Sequence, residues 1–535
     1  MRIGACTISC IMRRADRSHA TQQLEKFPPV SGIVLDSQPL TFAALDAIGS
    51  GRVSVSLSPA GMARVRKGRE GVETAISRGE PIYGANTGVG AMKDTDWSED
   101  EIGTFNLGLV HAHHFGTGAP FPVPTVRKAI AIRINTALTG YAGCSPELVE
   151  AFQALLEKDV IPVVRRTGSI GCADIGLMGQ IGSVLTGVGE VYYQGLRRKT
   201  SDVFPEVGIA PIRLAPRDAL ASLSVNGVGY AASAVALRDA AKVLRVLMGT
   251  ALMSSATLGA ARAPWRSAIT VGCARQSEIG RWLTETSGKW DWKDASHVQD
   301  PLSLRMLPQI FGVAVAEISR IGAVVLNATG RSDDNPVVVD GEVLTSGGSL
   351  PLEVAIAIQA GQLILAHVAR NIFNRCVLLA NGGRRGLPVN LVPSGAVATG
   401  FGPALKLVGD LYIRVLSMTS ALSPQSLVVA DGIEDEAAFL PLIVERLERQ
   451  VEALKRMAAL EALFAAQGTD ILGDQPEGVA ALLHEVTRSH SAFYRSDRPL
   501  SSEVEALEDD LAAPGTLARL VAAAPLPVFD SFFAL

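Results

Sequence analysis

The sequence predicts a mainly α-helical protein: a bundle of long helices with a smaller region of mixed structure on its N-terminal side. Three observations lead there. Apolar residues recur at helical spacing through long runs rich in Ala and Leu. Aromatic residues, which strands favour, make up only 5% of the chain. Glycine and proline gather in short clusters that punctuate the runs.

Taken in order, residues 1–30 read as an extension, either a disordered arm or the product of an upstream start. Residues 31–215 form the mixed N-terminal region and 216–535 the central and C-terminal bundle. Between Pro39 and Gly79 lie a short strand over 53–57 and a helix carrying Met62, Val65, Val72 and Ile76 at helical spacing. Two helices follow, 126–139 and 147–156, the second entered by Ser145-Pro146 as cap and first turn. Long helical runs then cover 218–258, 304–326, 352–379, 402–418 and 436–464. Irregular backbone is expected at Gly382-Gly383, Gly386-Leu-Pro388, Pro393-Ser-Gly395 and Gly400-Phe-Gly-Pro403.

With 535 residues, 48% hydrophobic and 19% charged, the chain can bury a large core. Its 49 basic and 53 acidic residues are scattered, for a net charge of −4. No footprint for nucleic acid or an anionic membrane results, so the expected partners are small molecules and copies of the chain itself. Cysteines 6, 10, 144, 172, 273 and 376 form no CxxC pair and have no histidines at ligand spacing, which points to a reducing cytoplasm and no structural metal. The apolar run from Ile3 to Met12 precedes Arg13-Arg14 instead of following a basic region, so no signal peptide is expected. Residues 219–237 carry no charge over a nominally membrane-spanning length. Ser222, Ser224 and Asn226 inside that run favour a buried helix of a soluble bundle.

Five segments carry candidate chemistry: Tyr83-Gly-Ala-Asn-Thr-Gly-Val-Gly90, Thr167-Gly-Ser-Ile-Gly-Cys-Ala-Asp-Ile-Gly-Leu-Met178, Ser224-Val-Asn-Gly227, Gln299-Asp-Pro-Leu-Ser-Leu-Arg305 with Pro308-Gln309, and Ser332-Asp-Asp-Asn-Pro336. A phenol, with its ordinary pKa of roughly 10, serves as a base only in a tuned site. A Gly-rich loop lets such a ring approach a ligand closely. The planar fork of Arg305 matches a carboxylate, with an interhelical salt bridge as its structural alternative. For Asn226 the structural alternative is an amide bridging two buried helix backbones.

Together and in this order, the segments resemble the aromatic amino acid ammonia-lyase and aminomutase family, which includes the histidine, phenylalanine and tyrosine ammonia-lyases. The resemblance covers nearly everything after residue 31. It implies the long-helix bundle of the ammonia-lyase, fumarase/aspartase-like type, and a homotetramer whose active sites combine residues of three subunits. The implied catalytic residues are Tyr83 as general base, Asn226 beside the electrophile and Arg305 as the carboxylate clamp. His113, crowded by His111 and His114, Gln309, Asn335 and Glu434 fall at positions that imply substrate binding.

The family builds its own electrophile, a methylidene-imidazolone ring, by cyclising Ala-Ser-Gly within a segment reading roughly GSVGASGDLAPL. Here the segment reads GSIGCADIGLM, one residue shorter and without the serine. Gly171, Cys172, Ala173 and Asp174 make up this altered prosthetic-group loop. One alignment puts Cys172 in the serine slot, where loss of sulfide would give the same exocyclic methylene. The other leaves neither serine nor cysteine at the centre, and no ring. Further departures are Leu302 for a family tyrosine, Ser349-Leu350-Pro351 for Asn-Phe-His, and Ile433 and Glu436 for Gln and His.

The resulting expectation is an ammonia-lyase-like enzyme acting on an amino acid or derivative, by base-assisted elimination, addition or rearrangement, with no cofactor. Without the ring it should prefer a substrate whose leaving group departs more readily than ammonia. Two alternatives stand beside it: a non-catalytic amino-acid-binding or regulatory homologue, and a conventional ammonia-lyase with a cysteine-derived ring.

Overall fold

Helix starts follow the cap chemistry of the sequence. Ser58 accepts from the Gly61 N–H and opens the helix Pro59–Ser77, and Ser145 accepts from the Leu148 N–H to open Pro146–Glu157. Ser98 and Glu101 form a reciprocal capping box at the start of Glu99–Ala112. The computed structural model describes residues 32–288, 290, 292 and 297–535, so the expected extension over 1–30 lies outside the described residues.

The architecture is mainly α, as the sequence predicts. Gly227–Thr257, Leu307–Ala328, Leu352–Asn381 and Leu440–Leu472 pack together as the central bundle. Short strands are confined to small sheets. Ile33–Leu35 runs parallel to Val55–Leu57, Thr117–Pro120 pairs with Arg165–Thr167, and Ile161–Pro162, Glu190–Tyr193 and Leu196–Lys199 form a three-stranded sheet. A hairpin, Val337–Val339 with Glu342–Leu344, is inserted between two bundle helices. One contiguous apolar core reaches from Leu35 to Phe533.

Among the described residues, three helices are long and apolar enough to cross a membrane by length and composition. The segment Asp218–Thr257 buries 94% of its most apolar stretch inside the protein. Leu307–Ala328 and Leu352–Asn381 bury only 50% and 56%, leaving Val313, Leu352, Ile356 and Leu363 on open faces.

Continuous helices expected from apolar periodicity are interrupted where the backbone has other work. The run over 218–258 breaks at Ser224–Asn226, because the Val225 N–H leaves the helix to donate to the Ala173 carbonyl. The run over 304–326 breaks at Met306 into Leu302–Arg305 and Leu307–Ala328, with Pro308 in the first turn of the second piece. The run over 436–464 starts late, at Leu440, since Phe439 is left-handed at φ 53°.

A buried ion triad ties the helix Val123–Ala137 to the segments around Arg217 and Asp334. Asp334 accepts from both Arg133, at 3.0 and 3.1 Å, and Arg217, at 3.3 Å, and all three side chains are at most 1% exposed. Arg217 also donates to the carbonyls of Ala142 and Pro336. Removing the carboxylate strands two buried guanidinium groups, so Asp334→Ala should cost about 3–5 kcal/mol in urea unfolding. The exposed pair Arg331–Glu353, at 56% and 62% side-chain exposure, sets the contrast. Arg331→Ala should cost no more than about 1 kcal/mol, and equal losses from the two variants would contradict this account.

Candidate functional site

The site is built on a tight turn. Gly171, Ala173 and Asp174 have φ of 75°, 61° and 46°, three left-handed residues in a span of four. Backbone contacts hold this unfavourable path. The Ala173 N–H donates to the Ser349 carbonyl at 2.9 Å, and the Ala173 carbonyl accepts from Val225 N–H at 3.2 Å. The carbonyls of Ile170 and Gly171 accept from the N–H groups of Phe439 and Ala438, at 2.9 and 3.4 Å. A side chain at Gly171 has no room, since a Cβ there would lie 2.5 Å from the Leu440 nitrogen.

Asp174 ends the turn as a fully buried carboxyl, accepting from Gly229 N–H at 2.6 Å and from the Ser169 hydroxyl at 3.1 Å. Burial pushes it up to about 7, against the pull of those two bonds. Asp333 lies close enough to add to that rise, and burial pushes Asp333 itself up to about 6. The helices Ile175–Leu185, Gly227–Thr257, Leu352–Asn381 and Leu440–Leu472 all begin within four residues of the turn or of a segment bonded to it. Their N-terminal ends put partial positive charge around it.

In front of the turn opens a cavity of about 360 Å³, within the roughly 300–1,000 Å³ usual for small-molecule sites. Tyr83, Cys172, Ala173, Asn335, Ser349 and the acidic run Glu434-Asp435-Glu436 line it. The Tyr83 hydroxyl accepts from the Gly90 N–H at 2.9 Å. Burial raises its pKa, the Gly90 bond opposes the rise and Glu434 adds to it. The Cys172 sulfur lies 3.6 Å from the Ser349 hydroxyl, and burial pushes the thiol up, so it is held neutral. Asn335 accepts from Ser346 N–H at 2.8 Å and so fixes the Ser346–Leu350 wall.

A second cavity, of about 490 Å³, shares Cys172, Ile175 and Glu434 with the first and is also lined by His113 and Phe115. His113 is oriented by a 2.7 Å contact between its Nδ1 and the Leu109 carbonyl.

Five residues singled out from sequence thus meet around these cavities: Tyr83, Cys172, Ala173, Asn335 and Glu434, with His113 next door. Gly171 and Asp174 shape the turn from behind. Asn226 also stands behind the wall, fully buried, where it donates to the Ser349 carbonyl at 3.0 Å. Arg305 and Gln309 line neither cavity of the single chain. Each keeps a buried polar atom, Arg305 Nε and Gln309 Oε1, without a partner among the described residues.

Sequence reasoning assigned no role to Ser349, whose carbonyl ties Ala173 to Asn226, or to Asp333. The Ser332-Asp-Asp-Asn-Pro336 motif was the available signal for Asp333. The departure Ser349-Leu350-Pro351 marked the segment, but not the backbone carbonyl through which Ser349 ties Ala173 to Asn226.

Because the folded-state pKa of Asp174 is raised from 3.8 to about 7, its contribution to stability is full below 3.8 and is lost as pH rises through about 7. The unfolding free energy of the wild type minus that of Asp174→Asn should therefore fall between about pH 4 and pH 7 and level off above. Denaturant titrations across that range check it, and a flat difference would count against a buried, protonated Asp174.

Comparisons with known proteins agree with this geometry. The family model described as aromatic amino acid lyase matches residues 40–491. Histidine ammonia-lyase of Aromatoleum aromaticum is 30% identical over 505 residues, covering 92% of this chain and 95% of its own. Among solved structures, the ergothioneine-degrading ergothionase of Treponema denticola superposes with a TM-score of 0.86 at 24% identity, covering 93% of this chain and 100% of its own. Histidine ammonia-lyase of Trypanosoma cruzi gives a TM-score of 0.83 at 22% identity, covering 94% and 97%. With the turn, the tyrosine loop and the helical bundle all in place, the chain belongs to the aromatic amino acid lyase family.

Proposed function

We propose that this protein eliminates an amine from an amino acid derivative whose nitrogen is a permanently charged ammonium, without a methylidene-imidazolone ring. The observation that carries the reading is the turn itself. Ring closure would need the Ala173 nitrogen to attack the Gly171 carbonyl, yet that N–H is given to Ser349 and that oxygen to Ala438. Cys172, at the centre, is a neutral thiol and no serine stands beside it. These residues do not fit the ring, so no step is routed through it.

Losing the ring leaves the leaving group unaided. A free amino group departs poorly, whereas a quaternary ammonium departs as a neutral tertiary amine and needs no proton. Tyr83, having first released its own proton to solvent, takes as phenolate the proton from the carbon next to the C–N carbon. The C–H electron pair becomes the carbon–carbon double bond, the C–N bond breaks, and its pair leaves with the amine. A bound cation also lowers the Tyr83 pKa, offsetting the burial that raises it. Glu434, Asp435 and Glu436 on the wall favour entry of such a cation. The solved relative that degrades ergothioneine is in keeping with this substrate class, since ergothioneine is an amino acid betaine.

The reading includes a homotetramer in which Arg305 and Gln309 of another copy reach the cavity and grip the carboxylate. Their orphaned polar atoms and the exposed Leu302, Met306 and Val313 beside them support it. Light scattering on the eluted protein should give about four times the 56.2 kDa chain mass.

Trimethylammonium betaines of histidine and the aromatic amino acids, assayed beside the free amino acids, test the chemistry. Trimethylamine and an ultraviolet-absorbing unsaturated acid should form in equal amounts from a betaine. Tyr83→Phe should lower kcat by at least about 100-fold, and Arg305→Ala should act mainly by raising KM. Ammonia released in stoichiometric amount from a free amino acid would refute the reading, as would an intact mass lacking one sulfide and one water.

A further inference from the structure

The lining of the first cavity is of two kinds. Glu434, Asp435 and Glu436 supply negative charge, whereas Cys172, Ala173 and Leu350 supply a thiol and hydrocarbon. Where the turn meets the cavity, the backbone has little left to give a ligand. The carbonyls of Ile170, Gly171 and Ala173 already accept from the N–H groups of Phe439, Ala438 and Val225, and the Ser349 carbonyl accepts from both Ala173 N–H and Asn226 Nδ2. The Ser349 hydroxyl lies against the Cys172 sulfur at 3.6 Å. The side chains that the turn itself presents are therefore a sulfur, which is a weak acceptor, and a methyl group, which is none. Negative charge nevertheless reaches this spot, because Glu434 lies close enough to raise the pKa of both Tyr83 and Cys172. Cys172 and Glu434 also line the second cavity, so a ligand that extends from one cavity into the other passes both.

A primary ammonium carries three N–H donors, and it gives up its hydration at a high cost unless each of them finds an acceptor. A trimethylammonium has no N–H to satisfy. Its methyl groups pack on sulfur and hydrocarbon, and its charge is served by a carboxylate and the face of a phenol. We propose that Cys172, flanked by Ala173 and Leu350, is the specificity-determining surface of the site: it selects a fully methylated ammonium by denying a primary ammonium the acceptors it needs. The assignment rests on the elimination reading for the identity of the substrate. The discrimination between the two kinds of cation is a property of the cavity and is measurable without turnover.

Calorimetric titration of the full-length protein with tetramethylammonium and with methylammonium reads the preference. The wild type should bind tetramethylammonium at least about tenfold more tightly. Cys172→Ser keeps the size of the side chain but adds a good acceptor, and should cut that preference by about fivefold, chiefly by improving methylammonium. Cys172→Ala adds no acceptor and should keep the preference. Leu350→Asn places an acceptor on the same surface from another segment, should act in the same direction as the serine variant, and replaces it if that one fails to fold. Equal binding of the two cations by the wild type, binding of neither, an unchanged preference in the serine variant, or an alanine variant that loses the preference as the serine variant does would each overturn the proposal. If the preference behaves as described but no betaine is turned over, the elimination reading falls and the selection stands. If betaines are turned over and the serine variant keeps the wild-type preference, only the selection by Cys172 falls.

Discussion

Asp334, held between Arg133 and Arg217, is the contact on which the rest of the molecule depends. Arg133 lies on the helix Val123–Ala137 of the mixed region, Arg217 stands just before Asp218–Leu223, and Asp334 sits on the strap after Leu307–Ala328. A carboxylate this deep is tolerable only because two guanidinium groups and the Ser332 hydroxyl donate to it. The strap it anchors carries Asp333 to the back of the site and Asn335 to its wall. Three consecutive side chains thus do three separate jobs, and the triad keeps them in register.

The site turns this rigidity into an uneven charge distribution. Behind the Gly171–Asp174 turn lie two buried carboxyls whose ionisation is suppressed, and in front lie three acidic residues facing a cavity. Helix N-terminal ends surround the turn and temper the negative charge. Within that field burial, reinforced by Glu434, raises the Tyr83 pKa on balance, and the Gly90 N–H that favours its phenolate offsets only part of the rise. A positive charge arriving beside the ring would act against that rise. On the proposed reading, this is how a cationic amino acid derivative would be favoured.

The open faces of Leu307–Ala328 and Leu352–Asn381 belong to the same design. Helices that are apolar all round are found in cores, yet these two bury only about half of their most apolar stretches within one chain. The neighbourhood of Arg305 and Gln309 combines exposed apolar residues with polar atoms unmatched among the described residues, a pattern expected where another surface docks.

By itself the sequence determined the helical class, the approximate extent of each long helix and the loop segments that carry Tyr83, Cys172, Asn335 and Glu434. It did so because apolar periodicity, caps and Gly-Pro clusters act over a few residues. The breaks at Ser224–Asn226 and Met306 were not legible. Local periodicity runs straight through both, and the first exists because Val225 serves a carbonyl some fifty positions away in the chain. Only the tertiary structure decided that Asn226 stands behind the cavity wall, that Arg305 and Gln309 lie outside the cavity of one chain, and that Ser349 and Asp333 fix the turn and the carboxamide. Those outcomes depend on long-range backbone bonds and on burial, which no short window of sequence contains.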